Sequence, residues 1–204
     1  MLVIGLTGSA GMGKSTVAAH LRARGIPVLD ADAEVHRLYD GAAAPLIEAA
    51  FPGTTAEGRV DRDRLSAALL RDPEGFQRLE AIVHPLVQAA ERDFLHRSFA
   101  RGAAIAVLEI PLLFETGGDR RVDLTIVVSA PADMQRERML ARPGMTAEKL
   151  DALLAHQLPD AEKRARADFI VDTGRTVAET LAQTDRIIET LKARQGSAFK
   201  QCWT

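Results

Sequence analysis

One cysteine, Cys202, stands among 204 residues, so no disulfide can close within the chain and no cysteine cluster can hold a metal. Such usage suits a reducing compartment. Aromatic residues amount to 4%, which leaves the interior to be built from Ala, Leu, Val and Ile. No apolar run approaches the ~20 residues that a membrane-crossing helix needs. The opening MLVIGLT is too short and uncharged for a secretory leader. Neither sign of charge dominates, since 26 Lys and Arg against 28 Asp and Glu give a net charge of −2. A protein that coats nucleic acid would carry a basic excess. Internal repeats and low-complexity tracts are missing as well. The resulting expectation is a cytoplasmic protein, monomeric, with neither a membrane nor nucleic acid as partner.

What is present is an alternation of two periodicities. LVIGL (2–6), IPVLD (26–30), AIAVLEI (104–110), VDLTIVVSA (122–130) and DFIVD (168–172) are short apolar runs, as expected of strands covered on both faces. Helical patterns separate them. Ser15 to Arg24 places Val17 and Leu21 one turn apart, and Asp61 can cap a short helix carrying Leu65 and Leu69. A longer pattern sets Phe76, Leu79, Val83, Val87, Ala90 and Phe94 toward one side. Within it Pro85 predicts a kink or break near His84. A charge-dense stretch holds Arg136, Arg138, Arg142, Lys149, Lys163, Arg164 and Arg166. Thr176 to Arg194 reads as a last amphipathic helix with Val177, Leu181, Ile188 and Leu191 inward, and GSAFKQCWT (196–204) as a loose end. Strands alternating with helices imply an α/β fold of three layers around a parallel sheet. Residues 1–39 and 103–204 form the expected core, with 40–102 inserted as a helical domain.

Directly after the first apolar run comes GLTGSAGMGKST (5–16), in which Gly8-x-x-x-x-Gly13-Lys14-Ser15 satisfies the P-loop pattern. Glycines let successive backbone N–H groups curve around an anion without Cβ clashes. The helix that follows adds the positive end of its dipole. Lys14 would neutralise charge between the β- and γ-phosphates of a nucleotide, and the Ser15 hydroxyl would ligate Mg²⁺. A glycine-rich turn with an incidental lysine is the plainer reading, and the strand–loop–helix context argues against it. No Asn-Lys-x-Asp guanine reader and no Leu-Ser-Gly-Gly signature occurs. The small phosphotransferases remain, and they need an acceptor pocket, a group beside the acceptor hydroxyl and a cationic lid.

DADAEVH (30–36) begins where the second strand ends, and in open α/β sheets the ligand crevice lies outside the carboxyl ends of the strands. Asp32 there could orient and deprotonate an attacking hydroxyl or hold a metal-bound water, and His36 follows one helical turn later. The alternative is that Asp30 and Asp32 only cap the following helix. Glu109 ends the third apolar run, where P-loop proteins keep an acidic residue near Mg²⁺, in contact directly or through water. A carboxylate on so apolar a strand is costly unless it meets water, metal or a cation. Glu115 has two open roles, contact with the acceptor or a structural ion pair.

GLTGSAGMGKST, DADAEVH, HPLV (84–87), EIPLLFE (109–115), RMLARPGMT (138–146) and HQLPDAEKRARADFIVD (156–172) occur in this order, and the chain resembles the dephospho-CoA kinases over nearly all its length. The resemblance implies a P-loop NTPase fold like that of nucleoside monophosphate kinases, with a nucleotide core, a helical CoA-binding domain at 40–102 and a lid at about 136–166. It implies transfer of the ATP γ-phosphate to the ribose 3′-hydroxyl of dephospho-CoA, the last step of coenzyme A synthesis. Gly8, Gly11, Met12, Gly13, Lys14, Ser15 and Thr16 would bind ATP, and Asp32 would sit by the acceptor hydroxyl. His36, His84 and Glu115 would line the dephospho-CoA side, Ser15 and Glu109 the Mg²⁺. Two positions depart from the family's pattern: Arg142-Pro143 where many members have Arg-Asp, and Asp172-Thr173 where they have Asp-Asn.

Arg136, Arg138 and Arg142 lie within two helical turns, ahead of the hinge-like Pro143-Gly144. The resemblance singles out Arg138 and Arg142 as lid residues, and Arg142 for a catalytic part, since arginine stabilises charge spread over a transferring phosphoryl group. A solvated basic helix face is the ordinary meaning of such a run. Two other functions fit the same motifs: a nucleoside or nucleotide kinase on the same scaffold, and an ATP-gated binding protein with slow hydrolysis.

Overall fold

The computed structural model describes all 204 residues. Seven strands follow along the chain: β1 (Leu2–Thr7), β2 (Val28–Asp30), β3 (Thr55–Ala56), β4 (Arg59–Val60), β5 (Ile105–Glu109), β6 (Leu124–Ser129) and β7 (Phe169–Asp172). The helices are α1 (Lys14–Ala23), α2 (Ala31–Tyr39), α3 (Ala44–Ala50), α4 (Arg62–Leu69), α5 (Gly75–Ala100), α6 (Ala132–Leu140), α7 (Ala147–Ala155), α8 (Asp160–Arg166), α9 (Val177–Leu191) and α10 (Ala198–Cys202). They divide into two compact units, Met1–Leu29 with Leu95–Thr204, and Asp30–Phe94.

In the first unit five strands form one sheet in the order β2-β5-β1-β6-β7. β1 runs parallel to β5 and β6, and β6 parallel to β7. Every residue of β1, β5 and β6 is buried, which explains why these runs carry no polar alternation. Leu2, Ile4 and Leu6 of β1 share a core with Val17 and Leu21 of α1 and Ile188 and Leu191 of α9. Each such side chain contributes about 1.5–3 kcal/mol by leaving water. Register sets Leu6 beside Glu109 and Ser129 beside Asp172, so the carboxyl ends of four strands share one edge with the P-loop.

The second unit packs α2, α3, α4 and most of α5 around Leu38, Ile47, Phe51, Leu65, Leu69 and Val83. Asp30 caps α2 by accepting from Ala33 N at 3.0 Å, and Asp61 caps α4 through Asp63 N and Arg64 N. Glu48 closes the loop before β3, accepting from Gly53 N at 2.7 Å and Thr55 Oγ1 at 2.7 Å.

Several expectations from the sequence need correction. The unit boundary falls after Leu29 rather than residue 39, because the apolar face of α2 joins the Ile47 cluster through Val35, Leu38 and Tyr39. It falls before Leu95 rather than near 103, since Leu95 is fully buried and Phe99 stacks on Phe199 at 4.8 Å in the first unit. No break occurs at His84: α5 runs through Pro85. Ala81 and Pro85 both lie on its exposed side, so water can take the carbonyl that proline leaves without a donor. On α9, Val177 is exposed, and Thr180 and Thr184 face inward with Ile188 and Leu191.

The tail is not loose either. Asp123 accepts from Val3 N, Ser197 N and Ala198 N at 2.8, 2.6 and 2.8 Å. Trp203 is buried, donating from Nε1 to Arg121 O at 2.8 Å.

Candidate functional site

The P-loop leaves β1 at Gly8, where any Cβ would stand 2.3 Å from Val128 O, and enters α1 through Gly13 at φ 88°. That left-handed step is cheap only for glycine. α1 has no acidic residue in its first turn, so its N-terminal positive potential is left for an anion. Lys14 is held across the loop, its Nζ donating to Gly8 O at 2.8 Å. Ser15 and Thr16 lie exposed in the first turn.

Side chains from later in the sequence brace this loop. The backbone of Ala10 is held on both sides: its N–H donates to Gln157 Oε1 at 3.1 Å, and its carbonyl accepts from Gln135 Nε2 at 2.7 Å. Met12 is buried, its sulfur accepting from Ala130 N at 3.1 Å and its carbonyl from Thr173 Oγ1 at 2.7 Å. Neither Gln135 nor Gln157 stood out in the sequence, and Thr173 did so only as a departure from the family's pattern. Lone amide and hydroxyl residues carry no spacing signal, although Gln157 and Thr173 lie in or beside the motif 156–172.

Glu109 is buried at the end of β5, with Arg22 Nη2 3.6 Å from its Oε2. The cation that a carboxylate on this strand requires is thus supplied by α1. Two residues on, Pro111 O accepts from Thr7 Oγ1 at 3.0 Å and from Lys163 Nζ at 3.0 Å. Lys163 is fully buried and pairs with Glu115 at 2.8 Å, and Glu115 also accepts from Leu158 N at 2.8 Å. Burial pushes the Glu115 carboxyl upward, but the Lys163 hydrogen bond and charge, with the Leu158 N–H, outweigh it and hold the group below its ordinary range. Both contacts are internal to the fold and make the ion pair that was one of the two roles open to Glu115.

Of the three arginines, Arg136 pairs with Asp151 at 3.0 Å. Arg138 donates to Thr173 Oγ1 at 3.2 Å and to Thr173 O at 2.7 Å, which ties it to the end of β7. Arg142 is exposed just past α6, ahead of Gly144 at φ 74°. Asp32 and His36 are exposed one turn apart on α2, and His84 is exposed on α5. These three belong to the second unit.

No group of three or more His, Cys, Asp or Glu could hold a metal. Mg²⁺ does not need one, because it keeps several waters and takes one or two protein oxygens beside substrate phosphates. The exposed Ser15 hydroxyl at the loop fits that demand.

A parallel sheet in this order, with a lysine-bearing P-loop leaving its central strand, is the architecture of the P-loop kinases, which use ATP. Comparison with known proteins narrows the class. The sequence model of the dephospho-CoA kinase family matches residues 2–179. The dephospho-CoA kinase of Mesorhizobium japonicum is 58% identical over 197 residues, 97% of this chain and 100% of that one. A crystal structure from Thermus thermophilus superposes with a TM-score of 0.81 at 38% identity, covering 93% of this chain and 96% of that one. Dephospho-CoA kinase from Campylobacter jejuni does so with a TM-score of 0.70 at 26% identity, over the same 93% and 96%. The chain belongs to the dephospho-CoA kinase family. No helix is long and apolar enough to cross a membrane.

Proposed function

We propose that this protein transfers the γ-phosphoryl group of ATP to the ribose 3′-hydroxyl of dephospho-CoA, giving coenzyme A. The observation that carries the reading is the braced P-loop with Lys14 at the start of α1, in a chain of this family. Gly8 to Thr16 would wrap the phosphates, with Lys14 placing its charge between the outer two. Ser15, with Glu109 acting directly or through water, would hold Mg²⁺. When bound, that ion supplies charge neutralisation across the β- and γ-phosphate oxygens.

On the acceptor side Asp32 would orient the 3′-hydroxyl and take its proton, with His36 and His84 lining the dephospho-CoA site. Phosphoryl transfer of this kind is largely dissociative, so holding the hydroxyl in line matters more than removing its proton. Arg142, exposed beside the Pro143-Gly144 hinge, would close over the transferring group and stabilise its spread charge. The helical unit Asp30–Phe94 would form the acceptor domain and residues 136–166 the lid. Closure would keep water from the γ-phosphate.

The test is ADP release with dephospho-CoA beside adenosine, AMP and pantetheine as competing acceptors. Turnover is expected with dephospho-CoA alone. Preference for adenosine or AMP would make the protein a nucleoside or nucleotide kinase, and an ATPase indifferent to every acceptor would make it an ATP-gated binder.

A further inference from the structure

Thr173 follows the last strand, and contacts with four residues converge on it. Its hydroxyl donates to Met12 O at 2.7 Å, with Ser129 O also within 3.3 Å. The same oxygen accepts from Arg138 Nη1 at 3.2 Å, and the Thr173 carbonyl accepts from Arg138 Nη2 at 2.7 Å. The side chain also lies against Gly13, where a Cβ would meet Oγ1, Cγ2 and Cβ of Thr173 at 3.3, 3.4 and 3.5 Å. Thr173 is 5% exposed, so water cannot replace its hydroxyl.

Met12 and Gly13 are the two residues before Lys14, and their peptides decide where the N–H groups of the loop point. A carbonyl fixed at Met12 fixes the N–H of Gly13 on the other side of the same planar unit. Arg138 is held by the same residue through two hydrogen bonds, one from each terminal nitrogen of its planar fork.

We propose that Thr173 is a positioning residue for ATP: its single hydroxyl sets the P-loop peptide at Met12–Gly13 and the Arg138 guanidinium in one arrangement. It touches no reacting atom. The inference rests on the ATP-dependent transfer proposed above.

Valine in its place would keep the shape, lose both hydrogen bonds and press a methyl group against Met12 O. Alanine would lose the bonds without the pressure, and serine would keep them. ATP affinity measured by calorimetry without acceptor is expected to fall roughly tenfold in Thr173→Val and Thr173→Ala, the effect of a buried hydrogen bond lost with its carbonyl unsatisfied. Thr173→Ser should restore it. With acceptor present, KM for ATP should rise by a similar factor while KM for dephospho-CoA stays within twofold. A thermal midpoint for each variant shows that it is folded, and Thr173→Ala serves if the valine protein is not.

Unchanged ATP affinity in a folded Thr173→Ala protein overturns the proposal. So does Thr173→Ser behaving like Thr173→Val, which would make the methyl group the feature that matters. Because the binding measurement needs no acceptor, it stands even if wild-type protein proves to phosphorylate something other than dephospho-CoA. Failure of the wild-type protein to turn over dephospho-CoA would strike the functional reading alone.

Discussion

In the first unit the groups around the P-loop are hydrogen-bonded to the rest of the fold, whereas in the second Asp32, His36 and His84 lie exposed on two helices. Lys14 and the peptides of Ala10 and Met12 already have internal partners, and loop geometry follows from them. A triphosphate can be met by a cradle built in advance, and preorganisation of that kind avoids reorganisation during the reaction. An exposed carboxylate contributes little until a substrate excludes water around it. On the proposed reading, the nucleotide side would be set by folding, and the acceptor side would be completed by what binds there.

The sharpest way to break this comparison is Lys14→Ala. The protein should fold normally and turn over roughly a thousandfold more slowly, the scale of losing a main charge on the transferring group. Steady-state kinetics beside a far-ultraviolet circular dichroism spectrum check it. Near-normal turnover would mean that the prebuilt cradle is not where the chemistry occurs.

Next in size is Glu115→Ala, which strands the buried ammonium of Lys163. Urea unfolding at pH 7 should show a loss of about 3 kcal/mol. The sign with pH follows from the depressed Glu115 carboxyl. Its contribution is complete above the ordinary carboxylate value of 4.5 and is lost as pH falls through the lower folded value. The gap between wild type and variant should thus be full at pH 7 and shrink in acid, and a constant gap would remove the ion pair as its cause.

Asp32→Asn probes the other unit. We expect kcat to fall roughly a hundredfold, as for loss of a proton-accepting or orienting group, with ATP affinity unchanged. Loss of ATP binding instead would assign Asp32 to the nucleotide side. The smallest effect belongs to Thr176→Ala, which removes the capping box of α9. It should cost about 1 kcal/mol and lower the thermal midpoint by about 2–4 °C without altering either KM.

The strands and the P-loop were legible in the sequence because each is a local pattern: an apolar run, a fixed spacing, a capping aspartate. Asp61 and Asp30 cap helices as their positions suggest. What escaped depends on partners distant in the chain. Thr173 could be noticed as a departure from a pattern, but not its contacts, since its partners are 161 and 35 residues away. Lys163 looked like one more charge on a basic stretch, yet it is fully buried against Glu115 and Pro111. Of the kink or break expected at Pro85, the break does not occur, since α5 continues through it on a face where water is available to the freed carbonyl. Thr184, which the apolar pattern passed over, lies inward because threonine can return its hydroxyl to the helix, as it does to Thr180 O at 2.9 Å.

The docked tail has a practical consequence. Trp203 is the chain's one tryptophan, enclosed beneath the Arg121 guanidinium, which lies 4.8 Å from the centre of its ring. Its emission should therefore be blue-shifted in the native protein and move to the red when the C-terminal segment detaches. That intrinsic fluorescence gives an unlabelled signal for this one corner of the sheet, so comparing it with the loss of helical ellipticity would reveal whether the tail leaves before the rest of the structure melts.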